Sequence, residues 1–149
     1  GHISKENLQW NGFLESNEVL AVFSGPHSYI SSSWYDHENV PTWNYIAVHV
    51  YGKLKIIEGQ AVIESLKKLV NKYEQKYENP TRIEDLSEKT MLQARGIVAF
   101  EIEIDEIQAT RKMSQNRDSK NYQKRISELE KNNTADSLAT ANEMKKCPL

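Results

Sequence analysis

The stretch Trp43-Asn44-Tyr45-Ile46-Ala47-Val48-His49-Val50-Tyr51-Gly52-Lys53-Leu54-Lys55-Ile56-Ile57 decides the fold. Its even positions Ile46, Val48, Val50, Leu54 and Ile56 are apolar, and its odd positions Trp43, Tyr45, Ala47, His49 and Tyr51 are amphipathic. A period of two marks a strand with one face on a core and the other toward a ligand or partner. Gly52 within it reads as a bulge or a bend.

Upstream, Val19-Leu20-Ala21-Val22-Phe23 is a continuous apolar run stopped by Ser24-Gly25-Pro26. Its length and β-branched content predict a strand buried on both faces. His27–Ser31 reads as a second short strand and Asp36–Pro41 as a polar loop. Trp10, Phe13 and Leu14 at helical spacing predict a short helix over residues 5–15. Downstream, Ile63, Leu66, Val70, Tyr73 and Tyr77 give residues 59–77 an amphipathic helical pattern, ended by Asn79-Pro80. Ser87–Gln93 reads as a short helix. Ile97–Ile104 alternates, Asp105-Glu106 shifts the phase, and Ile107–Met113 resumes as a strand. The tail is helical over 119–131, with Tyr122, Ile126 and Leu129 on one face, and again over 135–146. Strands dominate the first two-thirds, so the class is α+β, mainly β: a sheet or barrel carrying helices.

The chain has 149 residues, the size of one domain with a real core. Its 19 basic and 21 acidic residues leave a formal charge of −2, which argues against a broad electrostatic grip on nucleic acid. Cys147, the only cysteine, excludes an intramolecular disulfide and a multi-cysteine metal site. No apolar run approaches the ~18–20 residues of a membrane span and no signal peptide is evident, so a cytoplasmic protein without a membrane role is expected. His2, His27, His37 and His49 lack ligand spacing, so no metal site is expected. His49 reads as a hydrogen-bonded structural residue before it reads as a base. Neither phosphate-binding glycine motif is present, nor is a nucleophile elbow.

The stretches Gly25–Tyr35 and Val40–Gly52 hold two of the three tryptophans, four of the seven tyrosines and two of the four histidines. Rings with polar tips suit a half-wet surface that binds something flat. Ser31-Ser32-Ser33 offers hydroxyls to a phosphate, though a serine run beside Gly-Pro is also ordinary turn chemistry. Thr42-Trp43-Asn44-Tyr45 is sharper. An asparagine carries a donor and an acceptor that suit the imide edge of a flavin or a base, with neighbouring rings to stack on it. The plainer alternative is a strand start with aromatic core residues.

Gly1-His2-Ile3, Asn7-Leu8-Gln9-Trp10, Gly25–Tyr35, Val40–Gly52 and Met113-Ser114-Gln115-Asn116-Arg117, in that order, resemble the PaiB (Pai 2) family, bacterial FMN-binding negative transcriptional regulators. The resemblance implies a split β-barrel of the FMN-binding type with flanking helices, paired as a homodimer with flavin at the interface. It assigns residues 1–117 to the barrel-like domain and 118–149 to a helical extension of that domain. By motif, the implied cofactor positions are Ser31, Ser33, Trp34, Tyr35, Thr42, Trp43, Asn44 and Tyr45, with the turn at Ser114 and Gln115 closing over them; no catalytic residue is implied. Two departures stand out. The family's opening barrel strands are absent ahead of Gly1, which would remove part of the flavin phosphate site and leave sheet edges unpaired. Ser32 stands where a proline is expected.

The leading expectation is therefore a flavin-binding, regulator-like protein without turnover of its own. A flavin-dependent oxidoreductase of the reductase or oxidase kind is the fold-level alternative, with a haem-binding variant using His49 or His27. A truncated remnant acting only in protein association is the third. The regulator label brings DNA as an implied partner, but no helix-turn-helix pattern or charge excess supports it. Lys120, Lys124, Arg125 and Lys131 read as a solvated basic helix face.

Overall fold

One strand runs from Thr42 to Ile57, as the alternation predicts. Its even residues Asn44, Val50, Gly52 and Leu54 are buried while Trp43 is 48% exposed, so the two faces differ in the expected sense. The computed structural model describes residues 1–146, and Cys147 lies outside the described residues. In chain order the elements are β1 (His2–Ser4), α1 (Gln9–Glu15), β2 (Glu18–Ile30), β3 (Thr42–Ile57), α2 (Gln60–Glu74), α3 (Glu88–Met91), β4 (Ile97–Lys112), α4 (Ser119–Asn132) and α5 (Ala135–Lys145). Short 3-10 turns lie at Ser32–Trp34, Ile83–Asp85 and Leu92–Gly96. The class is α+β: a four-stranded sheet ordered β1-β4-β3-β2, with helices.

Three expectations need correction. The run Val19–Phe23 is not buried on both faces: Leu20, Val22 and Phe23 are exposed. It belongs to β2, the strand at one end of the sheet. An edge strand tolerates proline, because one side of its ladder has no partner to satisfy; β2 therefore continues through Gly25-Pro26 to Ile30, which is fully buried. The two segments expected on either side of Asp105-Glu106 form the single strand β4, whose side chains from Glu103 to Lys112 are exposed. Backbone pairing survives a change of side-chain phase when neither face is covered. At the other edge, β1 was too short to be read from sequence. It pairs antiparallel with β4, Ile3 opposite Val98, and the Gly1 ammonium donates to the Phe100 carbonyl at 2.8 Å.

The chain divides into two compact units. The first comprises Gly1–Val19 and Tyr51–Asp105. In it Phe13 of α1 meets the Phe100 ring edge-on at 5.8 Å, and Trp10 Nε1 donates to the Lys5 carbonyl. Leu54, Val98 and Ala99 are its buried apolar residues.

The second unit comprises Leu20–Val50 and the chain from Glu106 onward. Its core is Ile30, Tyr35, Met113, Tyr122, Ile126, Leu129, Ala141 and Met144, with Trp34 and Ile46 packed against it. Tyr122, Ile126 and Leu129 are the stripe that the spacing of the tail predicts. Fully burying a side chain such as Leu129 stabilises by roughly 1.5–3 kcal/mol relative to exposure. Asp118 caps α4 by accepting from the Asn121 N–H, and the helix ends at Asn133 in the left-handed region (φ 52°). Thr134 then opens α5 with a capping box, its side chain and that of Ser137 each accepting from the other's backbone N–H. The Tyr122 hydroxyl donates to the Met144 carbonyl at 2.8 Å, tying α4 to α5.

Candidate functional site

All ten implied cofactor residues fall in the second unit, but in three different settings. The first is the serine run. Ser31 Oγ accepts from the Ser33 N–H at 3.2 Å and lies 2.8 Å from Ser33 Oγ, capping the 3-10 turn that follows. Trp34 packs on the core and Tyr35 is a member of it. These hydroxyls are spent on the turn, and the rings on the interior.

The second setting is the outer face of β2 and β3. Trp43 stacks on His27 at 5.8 Å between centroids with 25° between planes, and Tyr29 lies 6.0 Å from it, tilted by 59°. Trp43, His27 and Tyr29 are all exposed, a cross-strand aromatic platform open on one side. Tyr45 is half-buried two residues further along the same side of β3.

The third setting is the opposite face of β3, where Thr42 and Asn44 meet the turn after β4. Asn44 is fully buried. Its Oδ1 accepts from Ser114 Oγ at 2.9 Å, and its Nδ2 donates to the Met144 sulfur at 3.5 Å. Both ends of the Asn44 amide, the donor and acceptor that suit an imide edge, are held by protein atoms. Position 44 shares parity with Ile46, Val48 and Val50, so the alternation already carried this signal. Ser114 takes φ 59°, and Gln115 closes the turn by accepting from the Met113 N–H and donating to the Arg111 carbonyl, both at 2.8 Å. Thr42 Oγ1 accepts from Lys112 Nζ at 2.8 Å.

Thr42, Ser114 and Gln115 thus line one cleft of about 410 Å³, together with Lys112, Asn116 and Arg117. Arg111, also on its wall, donates to Glu143; Lys112 and Arg117 make no ion pair among the described residues. Arg117 closed the quoted 113–117 motif, and Lys112 precedes it. Neither was singled out, because the charge of the whole chain hides a local excess of cations.

Beside this region Asp36 accepts from Lys120, Asn121 and His37. The Lys120 bond, then the Asn121 and His37 bonds, hold its carboxyl well below the usual carboxylate range. Arg125 is not on a solvated face as expected: it is fully buried. Its spacing from Tyr122, Ile126 and Leu129 sets it on the inward stripe of α4.

These observations define an α+β protein with a half-exposed aromatic platform and a cation-lined cleft. The chain belongs to the family described as "Putative FMN-binding domain", whose model matches residues 1–106. It is 45% identical over 148 residues to the Bacillus subtilis protein "Protease synthase and sporulation protein PAI 2", covering 97% of this chain and 72% of that one. An uncharacterized protein of Emericella nidulans is 30% identical over 148 residues, covering 77% of this chain and 59% of its own length. A crystal structure titled as a putative 5-nitroimidazole antibiotic resistance protein from Bacteroides thetaiotaomicron matches 72% of this chain and 57% of its own at 15% identity, with a TM-score of 0.49. The family match bears out the sequence resemblance, and FMN is the cofactor of this family.

The residues suit that group. A phosphate needs cations and hydroxyl or amide donors, which the Thr42–Arg117 cleft supplies. A flat ring system needs an exposed aromatic face, which Trp43 and His27 supply. Among the described residues, no helix is long and apolar enough to cross a membrane.

Proposed function

We propose that this chain is an FMN-binding, regulator-like protein that holds flavin through the aromatic platform and the cation-lined cleft of its second unit. The observation that carries the reading is the cleft at the Ser114 turn, where Lys112 and Arg117 have no carboxylate partner among the described residues. Thr42, Ser114 and Gln115 would hold the phosphate end of the cofactor, and Trp43 with His27 and Tyr29 would hold the ring. Ser31, Ser33, Trp34, Tyr35, Asn44 and Tyr45 support these groups from behind. When bound, the isoalloxazine supplies redox or light-absorbing chemistry, and the protein supplies position and electrostatics.

Trp43 points to one side of β3, while Thr42 and Asn44 point to the other. A flavin whose phosphate sits in the cleft is therefore best completed by the platform of a second copy. The exposed apolar residues Leu20, Val22 and Phe23 on the edge strand β2 suit such pairing. A homodimer with flavin at its interface is the assembly we infer. The regulatory role rests on the PaiB resemblance and the name of the Bacillus relative.

The test is a titration of flavin-free protein with FMN, followed by flavin fluorescence. Saturable quenching is expected, weakened about tenfold by Trp43→Ala through the loss of ring stacking. A protein that stays colourless and leaves FMN fluorescence unchanged would sink the reading.

A further inference from the structure

The first unit holds a cavity of about 470 Å³ that the flavin reading does not use. Its walls come from α1, α2, the end of β3 and the start of β4. Trp10, Ile57, Val62 and Val98 make the lining apolar, and Lys5 and Glu58 are its only charged members among the described residues. Ala94 and Ala99 line it with side chains that stop at Cβ, so the space is not filled from within. Small-molecule sites have this form: about 300–1,000 Å³, mostly apolar, with a few polar groups that fix orientation.

The rim is set by hydrogen bonds to the backbone. The Lys5 N–H donates to the Gly96 carbonyl, and the Lys5 carbonyl accepts from Trp10 Nε1, both at 2.9 Å. These bonds hold the indole and the root of the Lys5 side chain together. Gly59, at φ 60°, turns the chain from β3 into α2 directly after Glu58. Leu14 lines the cavity yet is 70% exposed, so an occupant takes further apolar surface out of water.

The two charges select the occupant. Lys5 and Glu58 are exposed, and neither joins an ion pair among the described residues, with the other or with a third group. A plain carboxylate ligand would match Lys5 and meet repulsion from Glu58; a plain amine would match Glu58 and meet repulsion from Lys5. An uncharged hydrocarbon would use neither. An unpaired cation and an unpaired anion on one apolar cavity complement a molecule that brings both charges on an apolar body.

We propose that this cavity binds a free apolar α-amino acid, its carboxylate on Lys5, its ammonium on Glu58 and its side chain against Trp10 and Val62. The site lies in the first unit and does not rest on the FMN reading.

The experiment is isothermal titration calorimetry on the full chain. The probe is L-phenylalanine, with L-leucine as a smaller apolar probe. N-acetyl-L-phenylalanine, which lacks the ammonium, and phenethylamine, which lacks the carboxylate, are the comparisons. The variants Lys5→Met and Glu58→Gln replace exposed side chains and leave the buried residues untouched. The native chain is expected to bind L-phenylalanine saturably, at least about tenfold more tightly than either comparison. Glu58→Gln should lose about tenfold toward L-phenylalanine and no longer distinguish it from N-acetyl-L-phenylalanine. Lys5→Met should lose a similar factor and no longer distinguish it from phenethylamine. These crossed losses assign each charge of the ligand to its residue.

No saturable binding of L-phenylalanine or L-leucine at millimolar concentration would overturn the proposal. So would a native chain and variants that bind all the probes alike, because uptake by apolar surface alone reads no charge. An affinity that falls as the protein concentration rises would mean that a second copy covers the cavity, and would overturn it too.

Discussion

Asn44 accepts a hydrogen bond from Ser114 and rests its amide nitrogen on the Met144 sulfur, fully out of solvent. Its chemistry suits a ligand, but its place in the alternation sets it on the interior side of β3. The side-chain period of a strand admits no exception for a polar residue, so the amide is satisfied from within. Asn44→Ala is expected to destabilise by about 2–3 kcal/mol, combining a small cavity with an abandoned Ser114 hydroxyl. Urea denaturation of Asn44→Ala, Ser114→Ala and the double variant would give a coupling of about 1 kcal/mol. Additive losses would show that the bond contributes nothing. Arg125 teaches the same lesson from a helix. Its spacing from Tyr122, Ile126 and Leu129 was in plain view, and its charge diverted the reading toward solvent.

The elements were legible where a period was long and uninterrupted. The β3 alternation, the stripe of α4 and the start of α5 were all readable, and the structure places each within a residue or two. Where the pattern depended on neighbours it was not. Gly25-Pro26 stops a central strand but not an edge one, so the continuity of β2 required the sheet order. Gly52 read as a bulge or a bend, and its reason is proximity: a Cβ there would meet the Glu103 carbonyl oxygen at 2.2 Å and Ile102 Cγ2 at 2.9 Å. Backbone cannot retreat as a flexible side chain can. Gly52→Ala is therefore expected to cost about 3 kcal/mol, at the upper end of overpacking losses. The midpoint of urea denaturation measures it, and a midpoint equal to that of the native chain would mean that β4 shifts freely.

At the scale of the whole molecule, the exposed row Leu20, Val22 and Phe23 on an edge strand is the feature that a single copy leaves uncovered. With a chain mass of 17.2 kDa, light scattering is expected to report twice that value for the native protein. Phe23→Lys should return the single-chain mass at low protein concentration, because a lysine on an exposed edge strand opposes pairing with another chain. It should also weaken FMN binding if the platform of one copy completes the cleft of another. A native protein that scatters as one chain would remove the dimer from the proposed function and leave the cleft to act alone.

By itself the sequence determined the α+β class, the strand at 42–57, the helical tail and membership of the FMN-binding family, because each follows from periodicity or from long contiguous motifs. Only the tertiary structure decided which polar residues face solvent. It turned Asn44 inward, buried Arg125, left Leu20 to Phe23 exposed, and gathered Lys112 and Arg117 beside Thr42 and Ser114. Those outcomes depend on which face a neighbour covers and which charges lie nearby, and both are set by residues tens of positions away in the chain.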